Sequence, residues 1–248
     1  MTRKRKFGIA ALSLAVLWAY FVFAGTPQNF VTHRVTLKTS DGFHIAATLT
    51  LPAKKETPMP GVILIHQGGS NRGEWAPYTP KFVSAGYVVL AYDVRGHGQS
   101  DKVKDIFALF DDPNQAPRDL QAAIAYLRHR PEVDSSRIAV VGASIGANLA
   151  CVASTKMGIK TAVALSGKTS AVYHLADAKK LKLKSVFYIA SAGDQQGKRA
   201  AWAKELYDQT AKPRKIRIVE NSSAHGVHIF GDAPAVVDEI IAWLKATL

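Results

Sequence analysis

Ser144 stands in the run Gly142-Ala143-Ser144-Ile145-Gly146, directly after the apolar "IAVV" and directly before the small residues of "ANLA". On a sharp turn between a strand and a helix, this G-x-S-x-G spacing lifts a serine hydroxyl clear of the backbone, because the two glycines let strand and helix close up around it. The helix that follows points its free N–H groups and partial positive charge at whatever the hydroxyl attacks. Serine is a weak nucleophile until a base takes its proton, so histidines and carboxylates at equivalent places in the chain matter next. They follow other apolar runs: His66-Gln67-Gly68-Gly69-Ser70 after "GVILI", Val94-Arg95-Gly96-His97-Gly98-Gln99-Ser100 after "YVVLAYD", Ala192-Gly193-Asp194 after "SVFYIAS", and Ala224-His225-Gly226 after "KIRIVE". The chemistry open to such a set is nucleophilic attack by Ser144. The five-residue motif alone says little, since glycine and serine are common; its place between an apolar run and a helical segment carries the reading.

The elements needed to hold these residues are visible in the hydrophobic pattern. "VTHRVTLKT" and "FHIAATLTL" alternate polar and apolar residues around Ser40-Asp41-Gly42, as a hairpin with one exposed face would. Downstream, "GVILIH", "YVVLAYD", "RIAVVG", "TAVALS" and "SVFYIAS" are short continuous apolar runs, as expected of strands buried on both faces. Helix-length segments at 117–130, 145–157, 198–211 and 236–248 separate or follow them. Alternating strands and helices imply right-handed crossovers and a mostly parallel sheet with helices on both faces, the hairpin forming its antiparallel N-terminal edge. In such a sheet ligands bind beyond the carboxyl ends of the strands, where the residues above lie.

With these elements in place, the chain after residue 30 resembles the α/β-hydrolase family, and within it the small lidless enzymes similar to dienelactone hydrolase. The resemblance runs through "GVILIHQGG", "AYDVRGHGQS", "VVGASIGANLA", "IASAGD" and "SSAHG". It implies the α/β-hydrolase fold without a large cap, and the family's chain order of nucleophile, acid and base as Ser144, Asp194 and His225. The enzymes that name the group carry cysteine at the elbow, where this chain has serine. Cys151, two helical turns further on, reads as a small packed apolar residue.

Within that frame His225 is the base, placed in a loop after the last strand between small residues; His228, three residues on, is its rival. His66 and His97 read as loop-structuring residues. Asp194 is the acid that orients the imidazole and balances its charge, with a helix N-cap for residues 198–211 as the alternative role. Asp93, beside Arg95 and Gly96, reads as structural. The oxyanion formed on attack needs N–H donors already in place; the amide of Ile145 is one, and the amide of Gly68, or of Gln67, is the other. Ile106, Phe107, Leu109 and Phe110 either line one wall of the site or pack on the domain surface.

Composition bounds the rest. The chain has 248 residues, 48% of them hydrophobic, enough for one large core and short for two. Its one cysteine can make no internal disulfide, and no phosphate-binding glycine loop or Cys/His zinc spacing occurs, so neither cofactor nor metal is expected. Residues 1–24 differ in kind. "TRKRK" precedes Phe7 to Ala24, a run without a charged side chain, which reads as a signal peptide or an uncleaved N-terminal membrane anchor. Export follows, to the periplasm or to the periplasmic face of the inner membrane, with 25–248 as the hydrolase domain. Removing Arg3, Lys4, Arg5 and Lys6 takes the net charge from +13 to +9, still basic. The cations are scattered apart from "KKLKLK", and no nucleic-acid-binding signature accompanies them, so a small-molecule ester is the expected partner rather than nucleic acid. The expectation is a serine hydrolase of carboxylic esters. A peptidase or acyltransferase would use the same three residues, and an idle hydrolase fold could serve as a binding module.

Overall fold

The computed structural model describes residues 29–53 and 58–248. Strands β1 (Phe30–Lys38) and β2 (His44–Pro52) form the N-terminal hairpin, Phe30 opposite Pro52 and Lys38 opposite His44. Then follow β3 (Met59–Ile65), helix α1 (Thr79–Ser84), β4 (Val88–Tyr92), α2 (Ala116–Arg128), β5 (Val133–Ala143), α3 (Ile145–Lys156), β6 (Thr161–Leu165) and α4 (Thr169–Leu175). The chain ends through β7 (Lys184–Ser191), α5 (Lys198–Asp208), β8 (Ala211–Val219), α6 (Ile229–Asp232) and α7 (Ala235–Thr247). The strands make one sheet of eight in the order β1-β2-β4-β3-β5-β6-β7-β8. Every pairing from β4 to β8 is parallel, and β1–β2 and β2–β4 are antiparallel.

Successive side chains of a strand point to opposite faces, so a run such as Val62-Ile63-Leu64-Ile65 must be covered twice. Ile63 and Ile65 enter the core with Leu120, Ile124 and Leu127 of α2 and Leu149 and Val152 of α3. Val62 and Leu64 pack on the other side with Phe82 of α1 and Val236, Ile240 and Leu244 of α7. Helices α2 to α5 thus cover one face, and α1 and α7 the other. Burying about 25 cal/mol per Å² of apolar surface on both faces makes this sheet the main source of stability.

A buried ion network fixes the loop after β4. Arg95, with no exposed surface, sets its Nε 2.7 Å from Asp119 Oδ1 on α2 and its Nη1 2.7 Å from Asp41 Oδ2 in the hairpin turn. The guanidinium holds the Asp41 carboxyl down at about 2. Hairpin, sheet and α2 are therefore locked together by one arginine, and removing one partner of a buried pair of this kind costs roughly 3–5 kcal/mol.

Between β6 and β7 lies the short helix α4 and no inserted domain, so the carboxyl edge of the sheet carries no large cap. Helices α1, α4 and α6 are the additions to the pattern expected from sequence. At six, seven and four residues they are too short to show a hydrophobic period. Among the described residues no helix is long and apolar enough to cross a membrane. The run Phe7 to Ala24 lies outside the described residues.

Candidate active site

Ser144 occupies the turn between β5 and α3 with φ 53° and ψ −107°, a left-handed conformation that costs an L residue roughly 1–3 kcal/mol. Its neighbours force this. A Cβ at Gly146 would lie 2.4 Å from the carbonyl oxygen of Ile65 on β3, and one at Gly142 would lie 2.0 Å from that of Gly146. Only glycines let α3 start so close to the sheet. The turn is held by Ser144 N–H donating to the Leu165 carbonyl at 2.8 Å, and the Ser144 hydroxyl does not cap the helix it precedes.

The loops after β7 and β8 meet beside it. Asp194, 4% exposed, accepts from His225 across 2.7 Å between its Oδ2 and Nδ1. The N-cap of α5 is Gly197 without a side-chain cap bond, so the Asp194 carboxylate is turned to the histidine and not to the helix. His228 is exposed, and only its backbone N–H reaches this turn, donating to the His225 carbonyl at 3.1 Å. Gly226, next to His225, is pressed against both other loops. A Cβ there would lie 2.1 Å from Gln67 Oε1 and 3.2 Å from the Cβ of Ala143, the residue before Ser144. The histidine loop therefore abuts the elbow within one residue of each group.

The loop after β3 is shaped by two histidines. His66 donates from Nδ1 to the Gln67 carbonyl at 2.7 Å and accepts the Val94 N–H at Nε2, 2.9 Å. Burial pushes it down to about 4, so it stays a neutral brace at ordinary pH. His97 accepts the Gly69 N–H at Nε2, 3.1 Å, and its Nδ1 lies 3.2 Å from the Arg95 carbonyl. Asp93 takes the Arg72 N–H at 2.7 Å and ion-pairs with its guanidinium, anchoring the segment that follows. The Gln67 amide donates to Glu74 Oε1 at 2.9 Å and is not open to a ligand. The Gly68 amide has no partner among the described residues and lies beside Phe110, whose ring edge would be 3.0 Å from a Cβ there. Ile145, as first residue of α3, has an N–H without an intrahelical acceptor. Glu74, raised in pKa by burial, escaped the sequence reading because it follows no strand and sits in no motif.

Ser144 opens into a cavity of about 300 Å³ lined also by Phe110, Asp111, Asn148, Lys168 and Arg199. A larger one, about 610 Å³, lies over β1 and β2 between Phe30, Thr48 and Arg72 and does not include Ser144. Of the four apolar residues in the loop before α2, Phe110 lines the Ser144 cavity. Leu109 is fully buried, Ile106 packs against the core and Phe107 is 76% exposed. Cys151 is buried on α3 and its thiol is pushed up to about 12, which removes it as a nucleophile. Among the described residues no group of three His, Cys, Asp or Glu side chains could hold a metal ion.

Comparison with known proteins agrees with this architecture. Residues 45–231 match the model of the dienelactone hydrolase family. The quorum-quenching protein AidA of Acinetobacter baumannii is 33% identical over 92 residues, 37% of this chain and 29% of that protein. The uncharacterized protein YfhR of Salmonella typhimurium is 26% identical over 129 residues, 51% of this chain and 41% of its own. The chain thus matches less than half the length of either relative. Among solved structures, an acetyl xylan esterase from a Paenibacillus species superposes with TM-score 0.72 at 19% identity, covering 90% of this chain and 86% of that one. An esterase of Pyrococcus furiosus gives 0.71 at 20%, covering 89% and 94%. The dienelactone hydrolase of Anabaena variabilis gives 0.65 at 19%, covering 89% and 99%. At these identities the likeness establishes the α/β-hydrolase fold.

Proposed function

Because the chain belongs to the dienelactone hydrolase family, we propose that it is a serine hydrolase of carboxylic esters, with Ser144 as nucleophile, His225 as base and Asp194 as the acid that orients it. The observation that carries this reading is the 2.7 Å contact between Asp194 and His225, set against an elbow in which Ser144 is the strained residue. His225 takes the Ser144 proton as the hydroxyl attacks the ester carbonyl. Its Nδ1–H donates to Asp194, which fixes the tautomer with Nε2 free for the proton and stabilises the imidazolium. The oxyanion is received by the Ile145 and Gly68 amides. Gln67, whose amide is already given to Glu74, serves as a wall of the loop instead. His225 then returns the proton to the departing alcohol and activates a water that releases the acid from the acyl-enzyme. Export, by residues 1–24 as signal or anchor, belongs to the same proposal and rests on their composition.

A fluorophosphonate probe tests the nucleophile directly. Labelling of the wild-type protein at Ser144, lost in Ser144→Ala together with ester hydrolysis by on the order of 10^4-fold or more, is the expected result. Near-wild-type hydrolysis by a folded Ser144→Ala protein ends the mechanism, and absence of both labelling and turnover in the wild type favours a binding module.

A further inference from the structure

Ser166 follows β6 with no exposed surface and φ 56°, a second left-handed serine next to the site. Such a conformation persists where surrounding contacts over-determine it. Here three hydrogen bonds from three elements do so. Its N–H donates to the Ile189 carbonyl of β7 at 2.8 Å, its carbonyl accepts from Arg199 Nη1 of α5 at 2.8 Å, and its Oγ accepts the N–H of Gly226 at 3.1 Å. The last bond holds the residue immediately after His225.

Arg199 is as unusual. It is 9% exposed, lies with its guanidinium carbon 5.3 Å from the Trp202 ring centroid, and forms no ion pair among the described residues, while its Nε is buried without a partner. A buried cation without a paired carboxylate is expensive. Burial pushes its pKa down, and the residue sits at the start of the helix after Asp194, where its N–H donates to the Asp194 carbonyl at 3.4 Å. Packing asks for neither residue. Glycine would take the Ser166 backbone without strain, and an apolar side chain would fill the place of Arg199 at no cost in charge burial.

Resting on the hydrolase reading above, we propose that Ser166 and Arg199 act together as positioning residues for His225. Ser166 Oγ anchors the backbone from which the imidazole projects. Arg199 locks the Ser166 carbonyl through the 2.8 Å bond from its Nη1. The result is a histidine whose backbone is held in place before the substrate arrives.

The test uses the full chain with p-nitrophenyl acetate. This substrate is neutral, so a role of Arg199 in gripping an anionic substrate leaves these rates unchanged. Ser166→Gly keeps the backbone conformation and deletes Oγ. It relieves the left-handed strain but leaves the Gly226 N–H unpaired, and in the folded protein it is expected to lose kcat by about 10- to 100-fold at little change in KM, the size that a small misplacement of a reacting group produces. Arg199→Met is expected to lower kcat at little change in KM, with Arg199→Lys restoring part of the loss. Failure of the hydrolase reading would appear instead as a wild-type protein that neither labels with fluorophosphonate nor cleaves the ester. Wild-type kcat in a folded Ser166→Gly protein overturns the role of Ser166. Wild-type kcat in Arg199→Met overturns that of Arg199, and should Arg199→Met not fold, wild-type kcat in a folded Arg199→Gln does the same.

Discussion

Asp194 Oδ2 and His225 Nδ1 stand 2.7 Å apart although they are 31 positions apart in the chain, one in the loop after β7 and the other in the loop after β8. Because the carboxylate is buried and accepts from the ring, replacing one oxygen by an NH2 group presents a donor to a donor, and the imidazole must change tautomer or turn. Asp194→Asn is therefore expected to keep the fold and to lower kcat by roughly 10^3- to 10^4-fold. Steady-state kinetics beside a melting curve decides it: an active variant that is only less stable would show that Asp194 serves structure alone.

His66 provides a pH dependence with a defined sign. Its pKa is lowered from 6.5 to about 4 by burial, so between these values the unfolded chain binds a proton that the folded one refuses. Stability from this group is fully present above about pH 6.5 and is lost as pH falls toward 4, a loss on the order of 3 kcal/mol. Urea unfolding of wild type and His66→Asn at pH 7, 5.5 and 4.5 is the check. The variant starts less stable and declines less steeply; parallel declines would refute the assignment.

The cavity at Ser144 is about 300 Å³, and α4 is the one helix between β6 and β7. So small and uncapped a site suits short or compact soluble esters with modest discrimination, since each methylene in a pocket is worth only about 1–3 kcal/mol. Rates on p-nitrophenyl acetate through palmitate, measured below and above substrate solubility, are expected to favour the short chains and to show no jump at the interface. Strong preference for palmitate with interfacial activation would refute the open site.

Residues 1–24 make a separate claim. Cell fractionation with N-terminal sequencing is expected to find the hydrolase domain outside the cytoplasm. A start near Gly25 marks a cleaved signal and an intact Met1 in the membrane fraction marks an anchor, whereas an intact soluble cytoplasmic protein refutes export.

Much of the molecule was legible in the sequence by itself, because two local rules act on neighbouring residues only. Unbroken apolar runs such as Gly61 to Ile65 can be satisfied only by burial on both faces, which made the parallel sheet and its order of alternation readable. Two glycines around Ser144 imply a strand and a helix closing on one turn, which the approach of Gly146 to the Ile65 carbonyl bears out. What the tertiary structure alone decided concerns contacts between loops. Loop position favoured His225 over its rival His228, but it could not show that a carboxylate from the loop after another strand faces the former at 2.7 Å. It could not tell that the Gln67 amide is given to Glu74 while that of Gly68 is left open, nor that Ser166 reaches Gly226 across 60 residues of chain. The physical reason is common to all three. A backbone pattern records which face of an element must be buried, but the partner of a polar group at the carboxyl edge is set by which other loops arrive there, and that depends on the packing of the whole sheet.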